Sequence, residues 1–129
     1  MKKENIIQNK TYAFALKIIV LSTKLNHENN EFILSRQLLK SGTSIGANVE
    51  EAIGAQSRKD FYAKLTIAYT EARETSYWLR LLKDAQIAKE EDSTELLKEL
   101  EEKLKLIGSI QKTIKSTIEN NSSFVIANS

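Results

Sequence analysis

Between Ser57 and Lys83 the chain carries an uninterrupted helical repeat. Phe61, Leu65, Ala68, Ala72, Thr75, Leu79 and Leu82 recur at alternating steps of four and three. That spacing holds one stripe on one side of an α-helix, and such a stripe is buried by packing on other helices. A strand repeats every two residues and cannot use it. The flanking stripes differ in chemistry. One is Lys59, Tyr62, Thr66, Tyr69, Arg73, Ser76, Arg80 and Lys83, with cations and tyrosines and no acid. The other is Asp60, Lys64, Ile67, Glu71, Glu74, Trp78 and Leu81. One helix thus presents a core face, a basic-aromatic face and an acidic-apolar face, which is a pattern for binding or assembly.

The rest of the chain reads the same way. Its 129 residues suit one domain. There is no proline and glycine is scarce, so the frequent turns of a sandwich or barrel are not provided for. A first helix is expected over about 9–25, with Phe14, Ile18, Leu21 and Leu25 as its buried stripe and Lys10, Lys17 and Lys24 recurring every seven residues beside it. Those lysines read either as solvated stems covering the bundle edge or as phosphate contacts. A second helix spans about 31–53, with Leu34, Leu38, Ile45, Val49 and Ala52 at core spacing and Gly54 as its cap. Gly42 and Gly46 mark a close approach of another backbone or a kink. The third helix runs over 57–84, capped by Ser57. The fourth runs over 93–119, with Asp92 and Glu95 at capping-box spacing and the stripe Leu97, Leu100, Leu104, Ile107, Ile110 or Gln111, Ile114, Ile118. Glu99–Lys103 and Glu101–Lys105 stand at ion-pair spacing on its surface. Residues 120–129 are expected to be a flexible tail, whose Phe124-Val125-Ile126 triplet offers a docking handle. The architecture expected is an all-α, antiparallel up-down-up-down four-helix bundle over 1–119.

Little here invites catalysis. The absence of cysteine excludes disulfides and thiolate metal sites and fits a reducing cytoplasm. His27 is the single histidine, and no Glu-x-x-His pair exists for a dimetal bundle. There is no nucleophile elbow and no phosphate-binding glycine loop. The sequence therefore reads as no enzyme, with no metal and no cofactor. A small-molecule enzyme would need a polar pocket around Asn48, Glu51 and Glu71. No secretory signal and no membrane-length apolar run is present. Net charge is only +2, so segregation of charge matters more than its sum.

Two constellations stand out. Ser44, Asn48 and Glu51 adjoin the core stripe of the second helix, as a hydrogen-bond network or as solvated residues. Lys59, Arg73, Arg80 and Lys83 suit phosphates, and Tyr62 and Tyr69 suit bases or sugars; the alternative is tyrosines packed in the core and cations paired with a neighbouring helix.

The run Ser41-Gly42-Thr43-Ser44-Ile45-Gly46-Ala47-Asn48-Val49-Glu50-Glu51-Ala52, followed by Phe61, Leu65, Ala68, Glu71, Ala72, Glu74 and Leu79, resembles the four-helix-bundle proteins encoded within intervening sequences of bacterial 23S ribosomal RNA genes. The resemblance covers roughly residues 12–118. One departure is Glu51-Ala52-Ile53-Gly54, where the family has Gly or Glu-Gly near the end of the second helix. The resemblance implies a non-enzymatic homopentameric ring. Through the related accessory variability determinant proteins of diversity-generating retroelements, it also implies RNA or DNA, and a nucleic-acid-processing protein, as partners. A ring needs a heterologous contact between two different patches. The basic and acidic faces of the third helix suit one, with Glu71, Glu74, Tyr77, Trp78 and Leu81 on the interface side or Trp78 inside the subunit core. A protein-assembly scaffold with no nucleic-acid ligand is the alternative.

Overall fold

The computed structural model describes residues 2–127, and their side chains except those of Glu4 and 121–127. Four helices follow one another: α1 (Lys3–Asn29), α2 (Ile33–Ile53), α3 (Arg58–Asp84) and α4 (Glu90–Ala127). Each packs on its two neighbours in the order α1–α2–α3–α4–α1, while α1 and α3, like α2 and α4, stand diagonally apart. Short connections make successive helices antiparallel, and the expected four-helix bundle is the fold.

The core follows the predicted stripes on α1, α2 and α3, except that Leu34 and Phe61, the first residues of the α2 and α3 stripes, are only partly buried. Phe14, Ile18, Leu21 and Leu25 meet Leu38, Ile45, Val49 and Ala52 and, across the bundle, Leu65, Ala68, Ala72, Leu79 and Leu82. On α4 the expected stripe holds at Leu100, Ile107 and Ile114, takes Ile110 rather than Gln111, and shifts by one residue at Leu97 and Leu104. Leu96, Leu100, Ile107, Ile110 and Ile114 are buried, whereas Leu97, Leu104 and Ile118 pack against the core from its side. Lys103 takes the core position between Leu100 and Ile107 and is 4% exposed. Its Nζ donates to the Glu99 backbone carbonyl at 3.3 Å and stands 5.3 Å from the Phe14 ring centre. The expected surface pair Glu99–Lys103 therefore does not form, although Lys105 and Glu101 do pair at 3.5 Å.

Helix ends depart more from expectation. α1 starts at Lys3, ahead of residue 9, because Ile7 and Thr11 extend the buried stripe by two turns. It also takes in most of the expected connection 26–30. Asn30 ends it in the left-handed region (φ 51°), a conformation asparagine tolerates. Ser57 caps α3 as expected, accepting the Asp60 N–H at 3.1 Å. α4 begins at Glu90, so Asp92 lies inside the first turn and is no cap; three acids there complement the helix dipole. α4 continues past the expected end at 119 to Ala127, and the side chains of Phe124, Val125 and Ile126 lie outside the described residues.

The two glycines of α2 face α1. A Cβ on Gly46 would stand 3.3 Å from the Thr11 carbonyl oxygen, and one on Gly42 would stand 2.8 Å from Ile18 Cγ2. The helix runs through both. They are points of close helix approach. Across the other flank, Thr75 Oγ1 donates to Ser41 Oγ at 3.0 Å, a buried hydroxyl pair joining α3 to α2.

Candidate nucleic-acid interface

α3 is held by its core stripe, so its other faces fall on defined edges of the bundle. The basic-aromatic face lies on the α3–α4 edge. Gln111 Nε2 of α4 donates to Thr66 Oγ1 at 2.9 Å and fixes this placement. Lys59, Arg73 and Arg80 are exposed, and Lys83 is half-buried. None of the ion pairs among the described residues involves these four cations. Arg80 lies 6.0 Å from the centre of the Tyr77 ring. The strip from Lys59 to Lys83 is about 36 Å long at 1.5 Å per residue, on the order of one turn of a duplex. Tyr62 and Tyr69 are half-buried against the core, so their rings are engaged in packing. The antiparallel register brings Lys115, one turn beyond Gln111, level with Tyr62. It is exposed, as is Lys112. Neither was singled out from sequence, because the period of α4 does not reveal which edge a lysine joins.

The lysine row of α1 lies elsewhere, on the α1–α4 edge, and each member has a carboxylate partner. Lys10 pairs with Glu102 at 2.7 Å, Lys17 with Glu99 at 2.8 Å and with Glu95 at 3.7 Å, and Lys24 with Asp92 at 2.9 Å. The hydrogen bond from Lys10 holds the Glu102 carboxyl below the usual carboxylate range. Hydrogen bonds to Glu99 and Asp92 raise Lys17 and Lys24 above the ordinary lysine value. The three lysines and the four α3 cations thus occupy opposite edges of α4. Beside the ion pairs is an open cleft of about 350 Å³ lined by the exposed Leu16 and Val20 and the buried Leu21 and Leu96.

The acidic-apolar face of α3 lies on the α2–α3 edge. Lys64 pairs with Glu51 of α2 at 3.3 Å. Glu71 is pushed up by burial and by the neighbouring Glu74, with Lys40 of α2 opposing that shift. Trp78 is half-buried, donates to Glu74 Oε1 at 3.4 Å and meets Tyr77 edge-on at 5.1 Å. The polar groups along this edge do not bond to one another as one network. Asn48 Nδ2 donates to the Ser44 carbonyl and Ser44 Oγ to the Lys40 carbonyl, both within α2. Among the described residues no group of three or more His, Cys, Asp or Glu side chains is placed to hold a metal ion. No helix among them is long and apolar enough to cross a membrane.

These features define an all-α protein, an antiparallel four-helix bundle whose lateral edges carry ordered rows of charge. The chain belongs to the family described as 23S rRNA-intervening sequence protein, whose model matches residues 3–109. It is similar to a solved protein of unknown function from the S23 ribosomal protein family of Bacteroides thetaiotaomicron VPI-5482, with 45% sequence identity and a TM-score of 0.84 over 86% of this chain and 99% of that one. No curated protein matches.

Proposed function

We propose that this chain is a non-catalytic, homo-oligomeric accessory module that binds RNA or DNA along the α3–α4 edge. The observation that carries the reading is the contrast between its two sets of cations. The lysines of α1 are matched by α4 carboxylates, whereas Lys59, Arg73, Arg80 and Lys83 stand without an acid partner among the described residues. Unmatched cations on a rigid helix suit a regular row of phosphates, and their binding releases condensed counterions. Lys115 extends the same edge from α4. Phosphate neutralisation is the main interaction, since Tyr62 and Tyr69 are committed to packing. The row Lys10, Lys17 and Lys24 belongs to the fold in this reading. The resemblance to retroelement accessory proteins points the same way, and a ring of subunits would repeat the basic strip around its surface.

The test is fluorescence anisotropy of a structured RNA and of a DNA duplex across a salt series, with wild type and R73E/R80E. We expect wild-type affinity to fall linearly in log–log form with salt. The double variant should bind at least about tenfold more weakly at low salt, with its helical circular dichroism intact. Equal binding by the two proteins overturns the assignment. The second reading, a protein-assembly scaffold, is favoured by the outer side of α1, where Asn5, Asn9, Tyr12, Leu16, Ile19 and Thr23 are exposed and none is charged, so that it offers nothing to phosphate. There, no nucleic acid binds, and R73E/R80E lowers the assembly mass instead.

A further inference from the structure

Along the edge next to α4, four residues of α3 recur at steps of seven: Lys59, Thr66, Arg73 and Arg80. A step of seven turns the direction by only about 20°, so the four side chains project nearly in line. All four are exposed. Three are cations and the second is not. Thr66 Oγ1 is already engaged, donating to the Tyr62 carbonyl at 2.9 Å and accepting from Gln111 Nε2 at 2.9 Å. The cations are therefore unevenly spaced. At 1.5 Å per residue, Lys59 and Arg73 stand about 21 Å apart, and Arg73 and Arg80 about 10 Å apart. Asp60, Glu71 and Glu74 lie on the flank toward α2, and the acid of α3 nearest the row, Asp84, lies one turn beyond Arg80.

We infer that this edge takes a double helix and not a single strand, with the duplex axis lying along α3. The inference rests on the nucleic-acid reading above and names the form of the ligand. A straight line drawn along a duplex crosses the two strands alternately and passes over both grooves in one turn, about 34 Å. B-form grooves are about 12 and 6 Å wide, so the turn divides into a long step and a short one. A-form RNA likewise pairs a wide groove with a narrow one. The cations of α3 repeat that division over about 31 Å, and their flexible stems absorb the remainder. Arg73 and Arg80 stand where two phosphate rows face each other across the narrow groove. Lys59 stands at the next crossing, on the far side of the wide groove. Thr66 lies over the wide groove, where there is no phosphate to hold. A single strand suits this edge poorly. Its phosphates follow one another more closely than any two cations of the row, and its bases need rings to stack on. Tyr62 and Tyr69, the aromatic residues beside the row, are half-buried against the core.

The experiment is fluorescence anisotropy on the full chain at low salt, with a DNA duplex about two turns long, each of its strands alone, and the RNA duplex and strands of the same sequence. The strands are chosen to have no self-pairing. We expect a duplex to bind at least about tenfold more tightly than either of its strands. The tighter of the DNA and RNA duplexes then identifies which double helix the edge takes. Single strands bound as tightly as the duplexes overturn this inference and leave the nucleic-acid reading standing. No binding of any of them overturns both. A salt series on the preferred duplex tests the placement of the row. K59Q, R73Q and R80Q should each reduce the log–log salt slope by about 0.9, while T66K leaves it unchanged. If T66K steepens the slope by as much as R80Q reduces it, Thr66 does not lie over a groove and the placement is overturned. Helical circular dichroism checks the fold of each variant, and the comparison of duplex with strand needs wild type alone.

Discussion

At Gly42 two effects of one methyl group oppose each other. Alanine would add about 1 kcal/mol of helix propensity. Its Cβ would also stand 2.8 and 2.9 Å from the Cγ atoms of fully buried, β-branched Ile18, which has little room to turn. Overpacking costs about 1–3 kcal/mol, so after the propensity gain we expect G42A to destabilise the fold by up to about 2 kcal/mol. Gly108 has nothing within 4 Å of the added atom, so G108A should stabilise by up to about 1 kcal/mol. Urea denaturation of both variants checks the contrast; a stabilising G42A would contradict the close approach to α1. Lys103 is a second residue-scale case. Burial pushes its pKa below the ordinary lysine value, with Glu99 opposing the shift. The unfolded chain then holds the proton more tightly than the folded one, so stability rises with pH between the lowered value and 10.5. Replacing the ammonium with an apolar chain of similar length removes the cost. We expect K103M to gain about 1 kcal/mol at neutral pH and to lose that alkaline rise. A less stable K103M would show that the contact with Phe14 outweighs desolvation.

At the scale of the helix, period was the legible part. The stripes of α1, α2 and α3 could be read directly because their core positions are apolar or small. α4 was harder because Leu96 and Leu97, like Lys103 and Leu104, are neighbours on the wheel. Spacing alone does not reveal that a lysine takes the inner place. The start of α1 is masked in the sequence because polar residues such as Asn5 and Gln8 share turns with the buried Ile7. The candidate site was legible as a face but not as an edge. Which cations find acids depends on the register between α1 and α4, which no single-helix pattern contains. That register has a pH signature. The Glu102 carboxyl is depressed by Lys10, so the pair's contribution is present above the ordinary carboxylate value and lost as pH falls through the lower folded value. The stability gap between wild type and K10M should therefore be measurable at neutral pH and vanish near pH 2. A gap unchanged by acid would place the effect of Lys10 in its aliphatic stem.

For the whole molecule, nucleic-acid binding and self-assembly should respond oppositely to salt. Phosphate contacts are screened and lose their counterion gain, while a contact through an uncharged helix side such as that of α1 does not. In about 1 M NaCl the assembly should keep its mass and release its nucleic acid. Dissociation of the subunits before the nucleic acid leaves would contradict this division of labour. The order in which the bundle closes follows from its connections. Three of the four edges join helices linked by a few residues, and the fourth joins α1 to α4 through partners 68, 82 and 92 positions apart in the chain. Bringing those ends together carries the largest loop entropy, and the ion pairs beside the cleft provide little early reward for it. The α1–α4 edge then forms after the folding barrier. Substitutions along it will speed unfolding and leave the folding rate nearly unchanged.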